Sequence, residues 1–375
     1  MYRRLIAWSR SNALARSAYG WIAPETRRKF VRALGSRDRA STVNRALAGQ
    51  AANLDDIEVF LVSRPLLMRA PLVLISQAHR SGGTLLSQLF DGHPALAAHP
   101  HELKIGHPTP EDWPRLDPAR GADANFRLLF ESRTVRFLRD GYQKGEQGDE
   151  RLPFFNVPHL QYRIFASLFA AQAPRDERAI LDCYFTAYFM AWLNYQGDLT
   201  QKRWLTAFAP RFADGEENVA RFFECYPDGR LIQIVRDPAT WLPSALHHED
   251  REAAPKPEDI LQVWCKSAQS VVRNKGRYGD RVIVLRFEDL VGHIESTMRY
   301  VARELGIDFH PVLLEPSFNG APMRANSSFA VERSGVIAAP LSRASLLSDA
   351  ERRLIEERCR GLHEAALATA ARIAA

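Results

Sequence analysis

Leu72-Val73-Leu74-Ile75-Ser76-Gln77-Ala78-His79-Arg80-Ser81-Gly82-Gly83-Thr84-Leu85-Leu86-Ser87-Gln88-Leu89-Phe90 is the stretch on which the fold turns. It opens with a short apolar run behind Pro71, the pattern of a strand buried in a parallel sheet. A glycine turn follows. Apolar residues at helical spacing then run to Gly92-His93-Pro94. Residues 72–91 therefore read as strand, glycine loop, helix. Such a loop suits an anion for a physical reason. The first N–H groups of a helix have no partner inside it, glycine lets the backbone curl so that they converge, and the helix dipole adds partial positive charge. Ser81 and Thr84 offer hydroxyls, and Arg80 offers a charged planar fork. The P-loop of nucleoside triphosphatases needs a lysine after its last glycine, and none stands there. The dinucleotide pattern G-x-G-x-x-G is absent too. Alone, R-S-G-G-T is a weak signal, because glycines also serve strand–helix packing.

The stretches outward from this one alternate strand and helix. Trp204–Phe208 and residues 231–235 and 281–286 read as strands. Residues 218–226, 239–248, 257–276 and 293–305 read as helices, and a last helix begins near Ser348. The alternation predicts an α/β fold: a three-layer sandwich with a central parallel sheet and helices on both faces. Residues 176–196 read as one long helix whose aromatic stripe belongs to the core. The segment 105–160 is rich in Pro, Gly and charge and reads as loops with short helices. With its flank to 175 it forms an insertion suited to shape an acceptor site. Residues 315–345 read as an ordered loop.

A second constellation sits after the strand 231–235: Arg236-Asp237-Pro238, with Ser244 eight residues beyond Arg236. Pro238 suits the first position of a helix, which puts Ser244 in its second turn. Arg236, at a strand's carboxyl end, lies where open α/β sheets bind ligands. Two anion-suited turns at one sheet edge imply a ligand with two separate anionic groups.

Together these motifs resemble the two cofactor motifs of sulfotransferases that use 3′-phosphoadenosine 5′-phosphosulfate (PAPS). Arg80-Ser81-Gly82-Gly83-Thr84-Leu85-Leu86 is similar to the family's 5′-phosphosulfate loop, and Arg236-Asp237-Pro238 with Ser244 to its 3′-phosphate site. His93-Pro94, Arg286-Phe287-Glu288-Asp289-Leu290 and Asn326-Ser327-Ser328-Phe329 resemble further family segments. The resemblance covers about residues 71–360. It implies a P-loop-NTPase-like fold and cofactor contacts from Arg80, Ser81, Gly82, Gly83, Thr84, Leu85, Arg236, Ser244 and Ser328. Gly83 stands where threonine is usual, so one hydroxyl donor is lost. Leu85 stands where the cytosolic phenol and steroid enzymes carry tryptophan, and their R-K-G loop is not evident. These departures favour the bacterial and the tyrosylprotein- or carbohydrate-type branch.

Sulfuryl transfer is an in-line displacement. It needs a base for the acceptor and positive charge for the leaving group. The resemblance gives Arg80 the leaving-group role and Glu102 the role of base, with Lys104 two residues on to keep Glu102 ionised. His99, His101, His107 and the pair His247-His248 are the competing bases, His101 the strongest of them. The sulfuryl group carries one negative charge, so no metal is expected. Two other readings compete: a catalytically inactive nucleotide-binding scaffold of the same fold, and a divergent nucleotide kinase. The joint presence of Arg80 and Glu102 argues against the first, the missing lysine against the second. Small-molecule, glycan, lipid and peptide acceptors all stay open; nucleic acid is not expected.

Composition bounds the rest. The chain has 375 residues, 46% hydrophobic and 25% charged, with no apolar run of membrane-spanning length. Its net charge is +6, but residues 1–50 hold eleven Arg and Lys against two acids, an excess of nine, so the remainder sums to −3. Residues 1–70 thus read as a basic helical arm packed on a domain spanning 71–375. Aromatic residues among the arginines also suit peripheral contact with an anionic membrane through residues 1–50, and the stretch shares the Arg-rich, acid-poor look of an organelle presequence. The four cysteines are far apart in sequence and read as reduced thiols of a cytoplasmic protein.

Overall fold

The computed structural model describes residues 55–106, 109, 112–143, 151–248, 256–323 and 335–373. The basic stretch 1–50, His107 and the Asn326–Phe329 segment with Ser328 lie outside the described residues. The chain divides into two compact units, Met1–Arg64 and Pro65–Ala375. In the first, residues 55–63 are helical and expose Ile57, Val59 and Phe60.

The second unit is built on a five-stranded parallel sheet: β1 (Leu72–Ile75), β2 (Leu96–Glu102), β3 (Trp204–Phe208), β4 (Arg230–Val235) and β5 (Val282–Arg286), in the order β2-β3-β1-β4-β5. Besides the helix Glu216–Cys225, which agrees with the reading at 218–226, the described residues of this unit form ten α-helices, numbered in chain order. They are α1 (Gly83–Leu89), α2 (Gly121–Leu129), α3 (Arg133–Asp140), α4 (Pro158–Gln172), α5 (Glu177–Met190), α6 (Pro238–Leu246), α7 (Pro257–Tyr278), α8 (Phe287–Gly292), α9 (Ile294–Glu304) and α10 (Asp349–Thr369). The strands alternate between the two faces, as their period of two requires. Val73, Ile75, Ile232, Ile234, Ile283 and Leu285 meet α1, α8 and α9 in one buried cluster. On the other face Gln233 donates to Ser270 (3.0 Å) and accepts from Asn274 (3.1 Å), both on α7. The fold is thus the α/β sandwich expected, with helices on both faces.

Three local readings differ. Helix α5 stops at Met190 rather than 196, because the chain turns there to bridge Trp192 to Asn156. Its aromatic residues Tyr184, Phe185, Tyr188 and Phe189 are core, as expected. Helix α4 begins at the end of the segment read as loops with short helices and runs on beyond it to Gln172, where no element had been placed; it buries Leu160, Ile164, Phe165 and Leu168, a helical spacing. Within the loop read at 315–345, Ser317–Phe318 and Ala321–Pro322 pair as a short ribbon, and Ala339–Leu346 is a 3₁₀ helix. The cysteines are distant only in sequence for one pair: Cys265 on α7 and Cys359 on α10 approach to 3.8 Å between sulfurs. Among the described residues, no helix is long and apolar enough to cross a membrane.

Candidate active site

β1 and β4 are neighbours, and the Ser76 N–H extends their pairing to the Ile232 carbonyl (2.9 Å). From β1 the chain leaves through α1 on one face. From β4 it leaves through α6 and α7, and α7 lies on the other face. A crevice opens where neighbouring strands part in this way, the usual ligand site of open α/β sheets.

The loop out of β1 is shaped by its own backbone. Arg80 has φ +62° and Gly82 φ +92°, both in the left-handed region. Gly82 is needed twice over, because a Cβ there would also stand 2.8 Å from the Phe287 ring. Gly83 has helical backbone, and its requirement is space. A Cβ at 83 would lie 1.8 Å from Gln77 Nε2 and 2.5 Å from Phe208 Cε2. Gln77, itself buried, occupies the room of the missing threonine side chain. Ser81 is buried, Thr84 is half-buried in the first turn of α1, and Leu85 packs on the core cluster.

The second turn lies against the first. Asp237 caps α6 by accepting from the Ala239 N–H (2.8 Å), with Pro238 at the first position. The Arg236 guanidinium is 2% exposed and donates to the Arg80 carbonyl (2.5 Å), the Thr240 hydroxyl (3.1 Å) and carbonyl (2.6 Å), and the Ser244 hydroxyl (3.1 Å). It also lies over the Phe287 ring at 4.4 Å. A third arginine joins them. Arg343, from the 3₁₀ helix, donates to Ser244 Oγ at 2.7 Å. Burial, followed by the charge of Arg343, pushes Arg80 down to about 10 and Arg236 down to about 9. Burial lowers Arg343 as well. Burial is the first cause of all three shifts, and the mutual repulsion of the arginines adds to it at Arg80 and Arg236.

The third part of the site is the end of β2. Phe208 of β3 pairs with both Ile75 and Glu102. Glu102 therefore stands two strands from the start of the glycine loop, about 10 Å at usual strand spacing. Its carboxylate is 27% exposed and lies 3.8 Å from Lys104 Nζ and 3.6 Å from the Arg133 guanidinium. Behind it, His99, His101 and Glu131 are fully buried, their ligand-type atoms within 4.8 Å of one another. A cation could be gathered at such spacing, but every one of these atoms has a hydrogen-bond partner. His99 Nδ1 meets the His101 carbonyl (2.9 Å) and its Nε2 meets Glu131 (3.0 Å). His101 Nδ1 meets the Glu102 carbonyl (3.0 Å) and its Nε2 the Tyr188 hydroxyl (3.1 Å). Burial pushes His101 down to about 3. Of the other histidines, His248 lies at the end of α6 with its ring 6.0 Å from that of His79.

The structure thus brings Arg80, Ser81, Gly82, Gly83, Arg236 and Ser244 together at one crevice, with Glu102 and Lys104 further along the same sheet edge. Sequence reasoning missed Arg343, Arg133, Gln77 and Glu131. Only the glycine at 83 carried a signal, since a missing side chain asks what fills its room.

A family model described as "Sulfotransferase family" matches residues 71–311. The chain belongs to the sulfotransferase family. Among solved structures it is similar to the sulfotransferase domain of the Synechococcus PCC 7002 olefin synthase, at 18% identity and TM-score 0.47, covering 78% of this chain and 95% of that one. It is similar also to the sulfotransferase domain of the curacin biosynthetic pathway (18%, TM-score 0.45, 78% and 98%). A sulfotransferase from Alicyclobacillus acidocaldarius is a third (14%, TM-score 0.42, 80% and 94%). No curated protein matches the sequence.

Proposed function

We propose that the protein transfers the sulfuryl group of PAPS to a hydroxyl or amine, with Glu102 as general base. One observation carries the reading: Arg236 and Arg343 share the neutral hydroxyl of Ser244, and the charge of Arg80 lies close enough to be felt with theirs. Such a cluster favours a ligand carrying several negative charges. In this reading Ser244, Arg236 and Arg343 hold the 3′-phosphate. Arg80, Ser81, Thr84 and the main chain of Gly82, Gly83 and Leu85 hold the 5′ end. Ser328 is assigned to the same cofactor by resemblance.

PAPS supplies an electrophilic sulfur and a phosphate leaving group. The protein's part is to bind, orient and move one proton. Arg80 offsets the charge that develops on the leaving group. Glu102 accepts the acceptor's proton, and Lys104 and Arg133 favour its ionised form. His99 and His101 are buried with both ring nitrogens engaged, which favours Glu102 over them as base. Fixed arginine charges do the electrostatic work, so the reading calls on no metal. The acceptor is a small molecule, glycan, lipid or peptide, met beside residues 105–175. The reading keeps the protein in the cytoplasm, with residues 1–50 available for peripheral membrane contact and no nucleic-acid partner.

Thermal shift with 3′-phosphoadenosine 5′-phosphate, against ATP with Mg²⁺, tests the cofactor. Stabilisation by the first is expected; stabilisation by ATP–Mg²⁺ alone overturns the reading in favour of a kinase. Transfer of ³⁵S from PAPS to an acceptor panel tests the activity, and binding with no transfer leaves a nucleotide-binding scaffold. Glu102→Gln is expected to keep nucleotide binding and abolish transfer.

A further inference from the structure

The strand that carries Glu102 is not held by its sheet over the residues just before Glu102. β2 pairs regularly with β3 as far as Ala98↔Thr206, and pairing resumes at Glu102↔Phe208. Four steps along β2 thus match two along β3, which is a bulge. Pro100 lies inside it and has no N–H to give. Backbone groups left without a ladder must find other partners when buried. Here side chains supply them. The Tyr142 hydroxyl donates to the Pro100 carbonyl (2.8 Å). His99 Nδ1 donates to the His101 carbonyl (2.9 Å), and His101 Nδ1 to the Glu102 carbonyl (3.0 Å). Glu131 Oε1 accepts the Lys104 N–H (2.8 Å).

Glu131 is the hub of this set. Its Oε2 meets His99 Nε2 at 3.0 Å while its Oε1 holds Lys104 and lies 3.7 Å from His101 Nδ1. The hydrogen count follows from the partners. A carbonyl oxygen only accepts, so His99 Nδ1 must carry a hydrogen, and a second proton lies between Nε2 and Glu131. His101 likewise carries its hydrogen on Nδ1, and its Nε2 accepts from Tyr188. Every group is satisfied in one arrangement only, which is how a buried polar network fixes a conformation. Glu131 also sits in the turn just before α3, and Arg133 on α3 contacts the Glu102 carboxylate from that side.

We propose that Glu131 is a positioning residue, which through His99, His101 and the Lys104 main chain fixes the bulged end of β2 and so the placement of Glu102 and Lys104. The consequence for turnover rests on the reading of Glu102 as the base; the anchoring itself does not.

The test compares Glu131→Ala with Glu131→Gln in the full chain. Glutamine keeps an oxygen for the Lys104 N–H and an N–H for a neutral His99, so it is the conservative rescue. Amide exchange at Lys104 is expected to rise about tenfold or more in Glu131→Ala and to stay near wild type in Glu131→Gln, with β1 and β4 amides unchanged in both. Affinity for 3′-phosphoadenosine 5′-phosphate is expected to hold within about twofold, because the arginine crevice is untouched. Release of ³⁵S-sulfate from labelled PAPS, with water as acceptor, is expected to fall on the order of 10- to 100-fold in Glu131→Ala and to recover in Glu131→Gln. Should the alanine variant not fold, Glu131→Asp replaces it: its shorter reach cannot serve His99 and Lys104 together. Unchanged Lys104 exchange in the alanine or aspartate form overturns the proposal. So does a rise spread evenly over the whole sheet, which marks a merely structural role. If Lys104 exchange responds while Glu102→Gln keeps full turnover, the anchoring stands and the assignment of the base fails.

Discussion

At position 83 the room for a threonine side chain already belongs to Gln77. The backbone there is ordinary, so the obstacle to Gly83→Thr is contact with Gln77 and Phe208. Overpacking of this kind costs about 1–3 kcal/mol. Gln77→Ala in the same chain clears the nearer obstacle, so the pair should couple favourably by roughly 1 kcal/mol or more. Urea unfolding of the four forms measures this; simple additivity would show that Gln77 does not occupy the site. Arg343 permits a separate test of the anion reading. Arg236 lies beneath the glycine loop on four hydrogen bonds, so removing it confounds binding with folding. Arg343 donates to Ser244 at 2.7 Å and joins the crevice from outside the sheet. Losing one charged hydrogen bond costs about 1.5–3 kcal/mol. Arg343→Ala should therefore weaken binding of 3′-phosphoadenosine 5′-phosphate by about 10-fold or more. Binding of adenosine 5′-phosphate, which lacks the 3′-phosphate, should change little. Equal losses for both nucleotides, measured by calorimetry, would remove Arg343 from the 3′ site.

Among the elements, those with punctuation at both ends were legible in the sequence. β1 and α1 are divided by two glycines, and β4 is closed by Arg236-Asp237-Pro238. Helix α10 begins at Ser348, whose hydroxyl accepts the Glu351 N–H while the Glu351 carboxylate accepts the Ser348 N–H. This reciprocal cap predicts a loss of about 1 kcal/mol for Ser348→Ala. The loss should appear as a lower urea midpoint with unchanged nucleotide affinity; no change would mean that the packing of α10 on α7 alone fixes that end. What the sequence left unread shares one cause. Glu131 lies in a turn between two short helices and Arg343 in a 3₁₀ helix, places without a periodic signature. Their roles come from chain crossings that bring them to His99 and to Ser244. The bulge in β2 is also a tertiary event: Pro100 permits it, but buried side-chain partners for the displaced backbone groups make it stable.

Across the whole molecule, burial has left ionisable groups whose effects on acid stability oppose one another. Burial pushes His101 down to about 3. His79 is pushed down to about 4 by burial, with His248, Arg80 and Arg211 adding to it. Both histidines take up a proton on unfolding once the pH drops below about 6.5, so the folded state loses stability as pH falls through that value. Asp182 and Asp214 are pushed up to about 6, mainly by burial. Between about pH 6 and 4 they are protonated in the folded state and ionised in the unfolded one, so they add stability as pH falls. Burial alone would raise Glu131, but His99, His101 and the Lys104 N–H more than offset it and hold the carboxyl below its ordinary value. Its contribution is therefore lost only at still lower pH. The two carboxyl groups thus offset part of the acid loss that the two histidines cause. Asp214→Asn removes one of the compensating groups. The variant should gain stability at pH 7.5, where it no longer buries a charge, and should lose about 2 kcal/mol more than wild type on acidification to pH 4.5. Urea unfolding at pH 7.5, 6 and 4.5 measures both changes. Parallel profiles for the two proteins would mean that Asp214 titrates alike folded and unfolded, and that the acid response of the sheet arises elsewhere.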